Sequence, residues 1–253
     1  MLPWRQWYLP PPAADRPSHI PSPRSEEVSL PLPEPAASPT NKSLDEELAA
    51  PAAGLVLKKI AIGHGIQNYS CESTAAEAKA TGAVAILYDA TSLYPGTRKT
   101  GVKQKTWDSI PADVLGGTPF PLNKLVGTEF GADPLNAFPE ASDLELRGAP
   151  KAKFLGHHYF DSNSVPVFVI PSADLTAAVE KIKGVPAPSD ADKGVIGTGA
   201  VAWLQLDDNG KGNSKGVTSV FRVITAGGAP RACSVAGVGI QSVPYATYYW
   251  FFG

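Results

Sequence analysis

From residue 54 onward, hydrophobic and polar positions alternate in short runs, and that period of two predicts β-strands rather than helices. Leu55 to Cys71 sets Ile60, Ile62, His64 and Ile66 on one face. Gly63, Gly65, Gln67, Tyr69 and Cys71 fall on the other. Gly82 to Asp89 reads as a second strand. Phe154–Phe160 and Val165–Ile170 flank the turn Asp161-Ser-Asn-Ser164 and predict a hairpin. Ala200–Leu206 and Val217–Thr225 flank a glycine- and asparagine-rich tract and predict another. The chain closes on an aromatic, alternating run from Val243 to Phe252.

One segment carries a helical pattern: Ser172 is placed to cap a helix bearing Leu175, Ala178, Val179 and Ile182. The connection from Ser92 to Lys153 has no clear period and reads as a long excursion with short helices or a lid-like cover. The fold class predicted is therefore mostly β. It is an antiparallel β-sandwich or barrel with a long irregular insertion and one or two short helices.

Composition divides the chain in two. Residues 1–53 are rich in Pro, Ser, Ala and Glu, too poor in large apolar groups to offset the entropy of ordering, and predict a disordered segment. Residues 54–253 form the single β domain, with 92–153 as its excursion. Hydrophobic residues are 43% of the chain, enough for a core, and the formal net charge is −2. That balance gives no basic surface for a nucleic-acid partner. No apolar run is long enough to span a bilayer. The first ten residues hold aromatics, two prolines and Arg5, without the apolar run of a signal peptide.

Two cysteines are compatible with a pair of buried thiols or with one bridge. Cys71 closes the first strand and Cys233 follows a Gly-Gly-Ala-Pro turn before the last, which favours a Cys71–Cys233 disulfide. Such a bridge closes a loop of roughly 160 residues and contributes up to ~5 kcal/mol on the chain-entropy model.

Candidate chemistry is sparse. Gly212-Asn-Ser-Lys-Gly216 matches the string of serine hydrolases, but every histidine precedes Ser214 and a strand follows it. It reads as a hairpin tip. His157 and His158 are adjacent in a strand and point to opposite faces, so they do not chelate one ion together. The weak metal candidates are His64, His157 and Asp161, with one histidine expected in the core. The glycine clusters lack the spacing and the room for a dinucleotide-binding βαβ unit, so no cofactor is expected. Asn41 and Asn68 head N-glycosylation sequons, meaningful only in an exported chain. Tyr69, Tyr159, Tyr245 and Tyr249 are candidates for an aromatic-lined ligand cavity.

Several ordered motifs carry a resemblance. They are Gly63-His-Gly65 with Gln67 to Cys71, Leu87 to Ala90, Leu155 to Phe160, Ala200 to Leu204, Phe221 to Val223 with Thr225 to Gly228 and Cys233, and Tyr245 to Tyr248. Together they resemble a domain-of-unknown-function family whose fungal members are small secreted proteins, often labelled malate dehydrogenase-like. The resemblance implies an extracellular β domain and supports the cysteine pair, with a cytoplasmic location as the alternative. It carries no catalytic residue. The function expected is a non-catalytic binding, stress or cell-surface role, with an unknown small ligand or cell-surface partner. A malate dehydrogenase-like oxidoreductase and an aromatic-lined ligand carrier are the alternatives.

Overall fold

The computed structural model describes residues 47–97 and 99–253, and the expectations for residues 1–46, including Asn41, lie outside them. Leu48–Gly253 forms one compact unit. Eight strands run β1 Leu57–Cys71, β2 Lys79–Asp89, β3 Lys153–Phe160, β4 Pro166–Ile170, β5 Leu175–Val185, β6 Trp203–Asp208, β7 Ser219–Gly227 and β8 Gly239–Phe252. Each pairs antiparallel with the next, and β8 returns to β1, so the sheet is a closed barrel. Of the two architectures open from sequence, the barrel is the one formed. Closure removes the free sheet edges.

The ladder that closes the barrel is long. β1 pairs with β8 from Leu57↔Phe252 to Cys71↔Gly239, while its other edge pairs with β2. The alternation read from sequence sorts β1 correctly between lumen and outer wall. A single buried cluster draws on all eight strands, which only the lumen side permits. Its lower layer is apolar, with Ala61, Leu87, Leu155, Ile170, Val220 and Phe251. Gly63 makes room there: a Cβ on it would lie 2.5 Å from the Tyr249 ring, so the aromatic ring takes the place of a side chain.

The outer wall of β7, β8 and β1 is covered by α1, Gln104–Gly117, which lies inside the long connection. Trp107, Ile110, Val114 and Leu115 are its buried side. Trp107 stacks flat on Tyr248, with ring centroids 4.0 Å apart, and its carbonyl accepts from the Tyr248 hydroxyl at 3.0 Å. Tyr94 packs edge-on against both Trp107 and Trp250. The long connection thus carries a helix that packs on the outer wall.

The helix expected after Ser172 is instead strand β5. Pro171–Ala173 makes one 3-10 turn that Asp174 ends in the left-handed region (φ 53°). Beyond it Ala177 and Val179 alternate into the lumen, and Ile182 is left exposed. Spacings of three and four also fit a strand that carries a bulge, here between Lys181 and Lys183. Pairing with β4 and β6 overrides the local pattern. Ser214 closes the neighbouring hairpin tip. Its hydroxyl accepts from Ala178 N at 2.9 Å and donates to Ala178 O at 3.2 Å.

At the upper end, where β1 and β7 finish, Cys71 is bonded to Cys233 in the short helix α2, Cys233–Ala236, with Cα atoms 5.5 Å apart. Gln241 reinforces the staple by accepting from Arg231 N and donating to Arg231 O, both at 3.0 Å.

Two outcomes test this account. Replacing both cysteines by serine is expected to lower stability by about 2–5 kcal/mol, and Trp107→Ala by about 3–5 kcal/mol through an unfilled space between α1 and the wall. Urea unfolding of each variant reads both.

Candidate functional site

The structure separates the candidate residues instead of gathering them. His64 lies on the outer wall beneath the end of α1, with Nδ1 3.4 Å from the Thr118 hydroxyl. Burial lowers its pKa to about 4. His157 is also on the outer wall, its ring 3.9 Å from that of Phe138, and burial lowers its pKa. Asp161 sits in the exposed β3–β4 turn, accepting from Asn163 N and Val165 N at 2.8 and 2.9 Å. Those backbone donors, Val165 first, hold its carboxyl below the usual range. Among the described residues, no group of three or more His, Cys, Asp or Glu is placed to hold a metal ion.

His158 faces the lumen, where its Nδ1 bonds the Val167 carbonyl at 2.9 Å and its ring stacks on Phe168 at 4.0 Å. Burial lowers its pKa to about 4, with the nearby Arg222 charge acting in the same direction and the Val167 contact opposing. Tyr245 and Tyr249 share a hydrogen bond of 2.8 Å inside the barrel. Burial pushes both phenols above their ordinary range. Tyr69 donates to Gly228 O at 2.7 Å where the chain crosses the upper end, and burial raises its pKa to about 12. These three tyrosines therefore fill the lumen, and Tyr159 faces the outside.

Arg222 is the residue the sequence reading left without a role. It projects from β7 into the upper lumen, where Nε and Nη2 donate to Ala202 O at 3.1 and 2.9 Å. Nη1 reaches Gln67 Oε1 at 3.5 Å across the barrel. No ion pair among the described residues involves it. Its parity in β7, shared with Val220, was the signal that could have placed it inside. Just beyond it, β7 bulges between Val223 and Ala226, and Ile224 takes φ 50°. That conformation is uncommon for a β-branched residue.

The open space lies outside the barrel. Residues 125–138 stand away from the upper outer wall of β1, β2, β3 and β8 and leave a groove of about 1060 Å³. Aromatic side chains Phe130, Phe138, Tyr159 and Phe160 line it. Asn68, Thr81, Asn136 and Ser242 interleave uncharged hydrogen-bonding groups among them. Asn68 Oδ1 accepts from the Ser242 hydroxyl at 2.7 Å. Arg231 holds the far wall with a two-toothed ion pair to Glu129, at 2.9 and 3.3 Å. Since Arg231 lies two residues before Cys233, the staple and the groove wall share one segment. Val126, Leu135, Val235, Val238 and Ile240 are exposed on the segments that flank it.

A closed eight-stranded antiparallel barrel with a filled lumen and a lateral groove defines the class of this domain. The chain belongs to the family described as Protein of unknown function (DUF3455), whose model matches residues 51–253. Neither the curated proteins nor the solved structures contain a match to the chain.

The lumen and wall histidines generate a pH prediction. His64 and His158 titrate at about 4 when folded and near 6.5 as free side chains, so the unfolded chain binds more protons between those values. Their contribution is complete above about 6.5, declines as pH falls towards about 4, and changes no further below that. The urea midpoint should fall across this window, and His64→Gln should flatten the fall. An unchanged midpoint would contradict the burial assigned to both rings.

Proposed function

We propose that this domain is an exported, non-catalytic binding module, and that its lateral groove takes a neutral, hydroxyl-rich ligand such as an oligosaccharide. The observation that carries this reading is the groove itself: about 1060 Å³ of open space, where aromatic rings and uncharged amides and hydroxyls stand among aliphatic side chains, Asp133 and the Arg231–Glu129 pair. Aromatic faces pack against the apolar face of a sugar ring, and amide or hydroxyl groups match its hydroxyls in either donor or acceptor sense. The strongest charges at the groove, Arg231 and Glu129, neutralise one another. The remaining charge on the lining, Asp133, accepts from Leu135 N and disfavours an anionic ligand. The apolar side chains along its flanks are consistent with a surface that meets a partner.

Export is supported by the Cys71–Cys233 bridge, because disulfides persist in oxidising compartments. The separation of His64, His157 and His158 favours binding over acid–base chemistry, which needs groups within hydrogen-bond reach of one another. An oxidoreductase reading draws no support from the fold. Among the described residues every neighbouring strand pair is antiparallel, so no parallel crossover supplies a phosphate-binding turn. An N-glycan on Asn68 would occupy the same groove, so the side chain is read as a ligand contact, its sequon unused.

Calorimetric titration with neutral oligosaccharides is expected to show saturable binding that Tyr159→Ala weakens about tenfold, or roughly 1.4 kcal/mol. Intact mass of secreted protein should show no glycan on Asn68. Failure of every oligosaccharide to bind would remove the ligand class. Turnover of malate with a nicotinamide cofactor would remove the non-catalytic reading.

A further inference from the structure

We infer that the upper mouth of the barrel is a second binding site, separate from the lateral groove, which takes the carboxylate group of a small ligand between Arg222 and Gln67. The lumen contains a guanidinium and no ion-pair partner for it among the described residues. A buried charge is ordinarily paired, because its desolvation costs several kcal/mol in the absence of a counter-charge. Here only carbonyl and amide oxygens face it, from Ala202 and Gln67, together with the adjacent Tyr249 hydroxyl.

A second observation points the same way. Gln67 is 8% exposed, and its Nε2 has no acceptor at hydrogen-bonding distance among the described residues, although the Tyr245 hydroxyl is nearby. Donors therefore outnumber acceptors at this point. Arg222 uses three of its nitrogens on Ala202 and Gln67, leaving N–H groups of the five it carries. The N–H groups of Arg222 and Gln67 left over from Ala202, Tyr245 and Tyr249 are answered by an acceptor that carries no proton and one negative charge. A carboxylate is that group, and its two oxygens match the planar donors of a guanidinium. A phosphate dianion would find only one cation.

Access follows from the gradient of exposure. Tyr245 and Phe251 are fully enclosed at 0%, whereas Gln67, Arg222, Tyr69 and Val201 keep 7–9% around the mouth. The pair therefore lies nearest the mouth, with Gln67 Nε2 itself still enclosed. Val201 and Gly228 close over the pair, packed against Tyr245 and Gln67 and held by Val201 N to Gly227 O at 2.9 Å and Tyr69 to Gly228 O. On this proposal the carboxylate reaches the pair by displacing the Val201–Gly228 cover, with the rest of its ligand left outside.

The test uses the full chain at constant ionic strength. Acetate, succinate, inorganic phosphate and uncharged acetamide are titrated while thermal stability and the Arg222 Nε–H resonance are followed. Acetate or succinate should stabilise the protein saturably and shift that resonance, with acetamide inert and phosphate weaker. Arg222→Met removes a lone buried charge, so it should fold with equal or higher stability and lose the carboxylate effect. Gln67→Leu should weaken the effect about tenfold and carries the test should the arginine variant fail to fold. An Arg222 resonance that acetate leaves unmoved overturns the proposal, as does phosphate binding without carboxylate binding. Oligosaccharide binding at the groove is measured separately and is expected to survive both substitutions, so the two sites fail independently.

Discussion

The closing ladder between β1 and β8 is the constraint on which the rest of this molecule depends. β1 is paired along both edges, and β8 lies against it for its full length. Once that ladder forms, the sheet has no edge, and every inward side chain of eight strands must fit one enclosed volume. The composition of β1 follows from that demand. Gly63 and Gly65 lie on its inner face, and a Cβ on Gly65 would come within 2.0 Å of the Val84 carbonyl. Aromatic bulk comes from β8, through Tyr245, Tyr249 and Phe251. Small residues on one strand and large ones on its neighbour fill the lower lumen, and the groove lies outside the barrel.

Much of the barrel was legible because its strands alternate strictly. The two faces of β1, both hairpins and the aromatic last strand follow from period two alone. β5 was not legible, because Leu175, Ala178, Val179 and Ile182 satisfy a helical spacing as well. Only the neighbouring strands decide between the two, and sequence does not display neighbours. The helix α1 was hidden for a related reason. Its stability comes from Trp107 lying on Tyr248, a contact between residues 141 positions apart. Its lone proline and two terminal glycines conceal the local signal.

The candidate sites were less legible than the fold, and the reason is again parity. His157 and His158 were correctly assigned to opposite faces, which removed them as a joint site. The four tyrosines chosen for a cavity were chosen by chemistry without parity, and Tyr159 therefore faces outward while the others pack the lumen. Arg222 entered the sequence reading only as the middle of the Phe221–Val223 motif. Its significance depends on the lack of a carboxylate around it, and a lack of neighbours is visible only in three dimensions. The groove is built from residues 125–138 and from a wall of four strands, a pairing that no short window of sequence contains.

The barrel is also unequal from end to end. Its lower lumen is apolar and closed, with Val56 and Gly253 joined by two backbone hydrogen bonds beneath it. Its upper end carries the bridge, the bulge at Ile224, the lone guanidinium and the entrance of the groove. Packing energy is concentrated at one end, and the features that cost energy are gathered at the other. A buried charge and a β-branched residue at positive φ persist only when surrounding structure holds them in place. The Cys71–Cys233 bridge supplies such restraint here, because it ties the segment that crosses the mouth to the end of β1. The same segment carries Arg231 to the groove wall. One covalent link thereby restrains both the mouth and the groove wall at the same end of the barrel.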